Sequence, residues 1–128
     1  MALLAEPMEF LDLHHGSAVR ISISAWTDGE ASIAPKVPTA RHVAIHMAQN
    51  ELTSAPPPGH PITVVVPVLR VFMKRLDEPS PVPYYDISSK TLRAQMLPLL
   101  QSGIHRSKEF IISANGHAPL KRYSVEVV

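Results

Sequence analysis

Hydrophobic residues are densest between Ile62 and Arg75. The even positions of this stretch run Ile62, Val64, Val66, Val68, Arg70, Phe72 and Lys74; the odd positions run Thr63, Val65, Pro67, Leu69, Val71, Met73 and Arg75. Both alternate faces are apolar as far as about Met73, which predicts a strand buried on two sides. Pro67 has a fixed φ and no backbone N–H, so a fully paired central strand would lose a ladder bond there. The segment is therefore expected to bulge or bend at Pro67, or to leave one side open. Two proline clusters fence it, Pro56-Pro57-Pro58-Gly59-His60-Pro61 before and Pro79-Ser80-Pro81-Val82-Pro83 after, and each enforces a break.

The same reading extends along the chain. Met8–Leu13 and Ser17–Trp26 flank His14-His15-Gly16, as a hairpin or as a short helix followed by a strand. In the second of these, Val19, Ile21 and Ile23 alternate with Arg20, Ser22 and Ser24, the period of a half-buried strand. Thr27-Asp28-Gly29 is a turn signal, with a short strand, Glu30–Ala34, returning from it. Ala40–Thr53 reads as a helix by length, capped by Thr39. His42, His46, Gln49, Asn50 and Thr53 then form one polar stripe. A strand with Val43, Ile45 and Met47 on one face is the rival.

Tyr84-Tyr85-Asp86 leads into the clearest helix. Ser88 or Ser89 caps it, Leu92, Met96, Leu99 and Leu100 repeat at helical spacing, and Gly103 suits its end. Pro98 is expected to kink it or tighten its last turns. The tail reads as a hairpin, with Glu109–Ala114 and Leu120–Val128 around Asn115-Gly116. A tight two-residue loop sets Glu109 opposite Arg122, whereas a wider loop runs on to Pro119. The whole is one α+β domain over residues 1–128: an antiparallel or mixed sheet of about five strands with two helices, ending in a C-terminal β-hairpin.

Composition narrows the chemistry. The 13 prolines of 128 residues punctuate apolar segments instead of forming a low-complexity tract, so they read as turns and rigid connections. The absence of cysteine excludes disulfides, thiolate metal ligands and a cysteine nucleophile, and suits a reducing compartment. The first residues lack the basic and apolar regions of a signal peptide, and no run reaches the ~18 apolar residues of a membrane helix. A soluble, cytoplasmic protein with no membrane partner is expected.

Charge is uneven along the chain. Residues 1–60 hold three basic against six acidic side chains, a net of −3, and residues 61–128 hold nine against five, a net of +4. The basic half nominates Arg70, Lys74, Arg75, Arg106, Lys108, Lys121 and Arg122 as a surface for an anionic partner or nucleic acid. Cations beside an exposed ring such as Phe72 can track phosphates while the ring stacks a base.

Other site chemistry finds little support. His42 and His46 share a helical turn, but valine stands at position 43, where a zinc-protease motif needs glutamate. On a strand they would lie about 13 Å apart, at ~3.3 Å per residue. His14-His15 and Asp77-Glu78 are turn residues without a third partner. No nucleophile elbow, phosphate loop or dinucleotide fingerprint occurs, so no catalytic, cofactor or metal residue is nominated. The expected function is a small non-catalytic binding or assembly protein, either a homo-oligomer or a subunit of a larger complex. A nucleic-acid-binding module and a small enzyme are the alternatives, and a viral or phage accessory role is compatible. Ser124-Val-Glu-Val-Val128 could pair with a neighbouring chain or within its own sheet.

Overall fold

The structure is a computed structural model and describes residues 4, 9–77, 79, 82–117 and 120–128. Met8, Glu78, Ser80, Pro81 and Pro119, which enter the sequence reading above, lie outside the described residues. In chain order the elements are β1 (Ala18–Ile33), α1 (Ala40–Gln49), β2 (Val64–Arg75), β3 (Tyr85–Ile87), α2 (Lys90–Ser102), β4 (Phe110–Asn115) and β5 (Arg122–Val127). The strands form one sheet in the order β3-β2-β1-β4-β5, every neighbouring pair antiparallel. With its two helices and terminal strand pair, this is the α+β fold that the pattern predicts.

β1 does not turn at Thr27-Asp28-Gly29. It runs 16 residues without a break, and the expected return strand is the end of the same strand. Gly29 is buried, pairs with Val68 and keeps out of the left-handed region that glycine turns exploit. Local turn propensity yields here to a 12-residue partner, because β2 pairs with β1 from Ile21↔Arg75 to Ile33↔Val64. A bulge between Ile23 and Ala25 inserts one residue, so Ile23 and Trp26 both face the core. The bulge also exchanges odd and even faces. Beyond it Ala31 is buried together with its neighbours Val64 and Val68, on the face away from α2.

The main core lies on the α2 face. Ile21 and Ile23 of β1, Leu69 and Val71 of β2, and Phe110 and Ile112 of β4 pack with Leu92, Met96 and Leu100 of α2. Each such side chain, fully buried, stabilises the fold by about 1.5–3 kcal/mol. Ser89 caps α2 by accepting from the Leu92 N–H, and Gly103 ends it at φ 80°. The helix continues through Pro98, which lies on its exposed face. Tyr85–Ile87, expected to lead straight into α2, instead forms the short buried strand β3.

The tail takes the wider loop. Asn115 pairs with Arg122 and Phe110 with Val127, so Glu109 faces Val128 and not Arg122. Tyr123 and Val125 still share the core face of Phe110 and Ile112.

Pro67 stands in β2 with one side open. It pairs with Glu30, whose carbonyl points away from β2 and accepts from the Leu4 N–H 2.8 Å away. Glu30 and Pro67 are therefore a pair that exchanges no ladder bonds, and proline costs nothing on that side. On the other side β3 covers only Leu69 to Val71. α1 closes the edge further along. The Gln49 side chain donates to the Val65 carbonyl at 3.0 Å and accepts from the Val65 N–H at 2.9 Å, as a neighbouring strand would. His46 Nδ1 lies 2.6 Å from the Thr63 carbonyl and 3.2 Å from its amide nitrogen. The polar stripe of α1 is thus turned onto a strand edge at His46 and Gln49, and His46 is buried.

Candidate functional site

β5 alternates two kinds of residue. Tyr123, Val125 and Val127 are half-buried toward the core, while Arg122, Ser124 and Glu126 are exposed on the opposite face. Its hydrogen bonds alternate too. Val128 and Glu109 exchange both main-chain bonds, at 3.2 and 3.0 Å, so Glu126, Ser124 and Arg122 also bond inward to β4. The N–H and C=O groups of Tyr123, Val125 and Val127 therefore point outward along the rim of the sheet. Gln95 of α2 donates to the Tyr123 carbonyl at 2.7 Å. The outward groups of Val125 and Val127 meet no partner among the described residues.

The far rim of the sheet is treated differently. Along β3 the Asp86 N–H donates to the Glu9 carbonyl at 2.9 Å and the Asp86 carbonyl accepts from Leu11 at 3.0 Å, with a bridge at Phe10. Beyond β3, side chains of α1 occupy β2. On β1, past its pairing with β4, the Glu30 carbonyl is taken by Leu4. β5, like the outer rim of β1 beyond Ile21, keeps open main chain among the described residues. β5 carries no proline and no bulge, two devices that ordinarily blunt an edge.

The seven nominated cations do not form one surface. Arg70 is buried beneath the face that Phe72 and Lys74 share, and makes two 2.8 Å bonds to Asp86, with side chains only 5% and 0% exposed. The Tyr84 ring covers its guanidinium at 4.2 Å. Its bonds to the Asp86 carboxylate hold the guanidinium pKa above its ordinary value, against the opposing effect of burial. Arg75 lies 3.4 Å from Asp77. Lys121 binds Asp12 at 2.7 Å, which lowers the Asp12 pKa through that hydrogen bond and raises that of Lys121. Lys74, Arg106, Lys108 and Arg122 remain exposed. Lys74 and Arg122 lie three strands apart, roughly 14 Å across the sheet at ~4.8 Å each, and at opposite ends of it, because Lys74 pairs with Ser22 beside the Phe110–Val127 end of β4 and β5.

The histidines also separate. His42 closes a capping box with Thr39, its Nδ1 accepting from the Thr39 N–H at 3.0 Å. His15 accepts from the Gly116 N–H at 2.7 Å and its ring sits 5.1 Å from that of His117, joining the first turn to the β4–β5 loop. No group of three or more His, Asp or Glu able to hold a metal occurs among the described residues. An open groove of about 500 Å³ is walled by six prolines, and its ionisable groups are Lys36 and His60. No helix among the described residues is long and apolar enough to cross a membrane. No family model, curated protein or solved structure matches the chain.

The Ser124–Val128 strand was visible in the sequence as an element able to pair inside or outside its own sheet. Asp86, Gln49 and Gln95 were not singled out. One signal could have found Asp86: a lone arginine between Leu69 and Val71 in an apolar run demands a buried carboxylate.

Proposed function

We propose that this chain is a small binding or assembly protein that works through protein–protein contacts, as a homo-oligomer or as a subunit of a larger complex. The open main chain along β5 carries the reading. An unpaired strand edge is a template for another strand, which native chains ordinarily blunt or cover. Here the chain uses Gln49, His46, Glu9 and Leu11 to occupy the β2–β3 side of the sheet, and leaves Val125 and Val127 open on the other. The absence of cysteine suits the cytoplasm as its setting.

Size-exclusion chromatography with light scattering, together with capture on an immobilised copy of the chain, tests this reading. A discrete oligomer or a stoichiometric partner is the expected outcome. A strict monomer at tens of micromolar that retains no partner overturns it.

A further inference from the structure

We propose that the partner of β5 is a second copy of this chain, bound antiparallel about a two-fold axis at Ser124, which joins two five-stranded sheets edge to edge. This rests on the reading of the chain as a protein that works through protein–protein contacts, and names the surface and the partner.

The order of residues along β5 is its own complement. Antiparallel strands set outward-pointing residues opposite outward-pointing ones, so only registers that set Tyr123, Val125 and Val127 opposite odd-numbered residues of the second copy are open. With the axis at Ser124, Arg122 meets Glu126 of the second copy and Glu126 meets its Arg122. On the core face Tyr123 meets Val125, and the reverse. Leu120, 77% exposed, and Val128, 37% exposed, come to the same end of the seam, which gives two exposed apolar side chains a contact. Cross-strand opposite charges and aromatic–β-branched pairs are the combinations that stabilise such a seam.

Neighbouring registers lose these contacts. An axis at Arg122 or at Glu126 sets two like charges face to face. An axis at Tyr123 sets Arg122 against Ser124, and one at Val125 sets Ser124 against Glu126 and Arg122 against Val128. Only the register at Ser124 pairs both charges without repulsion. The Tyr123 carbonyl, which already accepts from Gln95, has a second lone pair for the Val125 N–H of the other copy.

The natural absence of cysteine makes the register directly measurable. Residues on the axis form a non-hydrogen-bonded pair with Cα atoms about 4.5 Å apart, inside the ~4.4–6.8 Å range of a disulfide. Ser124→Cys should oxidise to a covalent dimer at low micromolar concentration. Ser113→Cys is the control: its hydroxyl lies 2.7 Å from that of Ser124, but one strand further in, so it should stay monomeric. Arg122→Glu and Glu126→Arg, both at exposed positions, should each weaken dimerisation at least about tenfold by sedimentation. An equimolar mixture of the two variants should recover wild-type affinity, because their opposite charges face each other again.

Equal cross-linking of the two cysteine variants, or a mixture no tighter than its components, overturns the inference. A wild-type dimer with such results pairs through another surface, and the broader reading stands. A monomer that captures a different partner also overturns self-pairing and spares the broader reading. A monomer that captures nothing overturns both.

Discussion

Removing one member of the Arg70–Asp86 pair should cost far more than removing both. The two side chains are 5% and 0% exposed, and their two bonds are each 2.8 Å, a forked geometry that satisfies both carboxylate oxygens. Asp86→Ala leaves the guanidinium in a site built around a counter-charge. Breaking a buried pair in this way costs about 3–5 kcal/mol, chiefly because the remaining charge stays desolvated. Domains of this kind are stable by only about 5–15 kcal/mol, so the variant forfeits about a fifth of the total or more. Replacing both partners with apolar residues of similar size, Arg70→Met with Asp86→Leu, removes the desolvation penalty along with the attraction. Its expected cost is close to zero, and it can even stabilise.

Urea melts distinguish the two outcomes. Trp26, the sole tryptophan, pairs with Val71 beside the ion pair and reports on the β1–β2 junction by fluorescence. The single variant should shift the midpoint strongly at constant slope, and the double variant should return toward wild type. Salt at 0.5 M should hardly change the wild-type value through this pair, since a buried pair is little screened. The exposed Arg20–Glu109 pair, at 53% and 38%, behaves oppositely. A single variant within about 1 kcal/mol of wild type would refute the reasoning, as would a double variant no more stable than the single.

Three further outcomes follow from the same geometry. Gln49→Ala removes two bonds to Val65, a loss of about 1–3 kcal/mol, and should abolish slow hydrogen exchange at the Val65 amide; unchanged protection there contradicts the edge-capping role. Met96→Ala and Leu92→Ala, at fully buried positions, should each cost about 2–5 kcal/mol in denaturant melts, while Val37→Ser at an 84% exposed position should stay within about 0.5 kcal/mol. Lys121 lowers the Asp12 pKa below its ordinary 3.8, so the tether between them stabilises above that value and is lost as pH falls through the lowered one. The stability difference between wild type and Asp12→Asn should therefore vanish toward pH 2; a difference constant from pH 6 to pH 2 excludes the tether.

Period and spacing were reliable guides wherever one face of an element meets the core. Val19, Ile21 and Ile23 alternate because β1 is half-buried there, and Leu92, Met96 and Leu100 repeat because α2 packs on the same face. The second half of β1 was not legible for a physical reason. Thr27-Asp28-Gly29 has turn chemistry, but its conformation is decided by a long partner lying 41 residues away in sequence at Asp28↔Leu69, beyond the reach of any local window. The bulge at Ser24 compounds this by exchanging the two faces partway along. The polar stripe of α1 misleads in another way. A glutamine that bonds strand main chain has the same place in the helical period as one that bonds water, so the pattern cannot separate Gln49 as an edge cap from Gln49 on a solvated face.

The different treatment of the edges is a matter of where main-chain polar groups find partners. A buried or rim N–H left unpaired costs free energy, and the chain meets that demand side by side with its own folding. On β2 it uses an amide side chain that copies a peptide group, and on β3 it lays an extended segment alongside. Both are long-range contacts, so both require α1 and the N-terminal residues to be in place. β5 has only Gln95, and that side chain satisfies one carbonyl while leaving the adjacent donors free. Water can hydrate them, but a strand offers the same bonds together with burial of Tyr123 and Val125, which are already half-withdrawn from solvent. Charge then decides which strand fits. A foreign strand must supply a cation and an anion four residues apart in reversed order, whereas a second β5 carries that order in Arg122 and Glu126. The two ion pairs are exposed and individually weak, so their contribution lies in selecting register and partner more than in affinity.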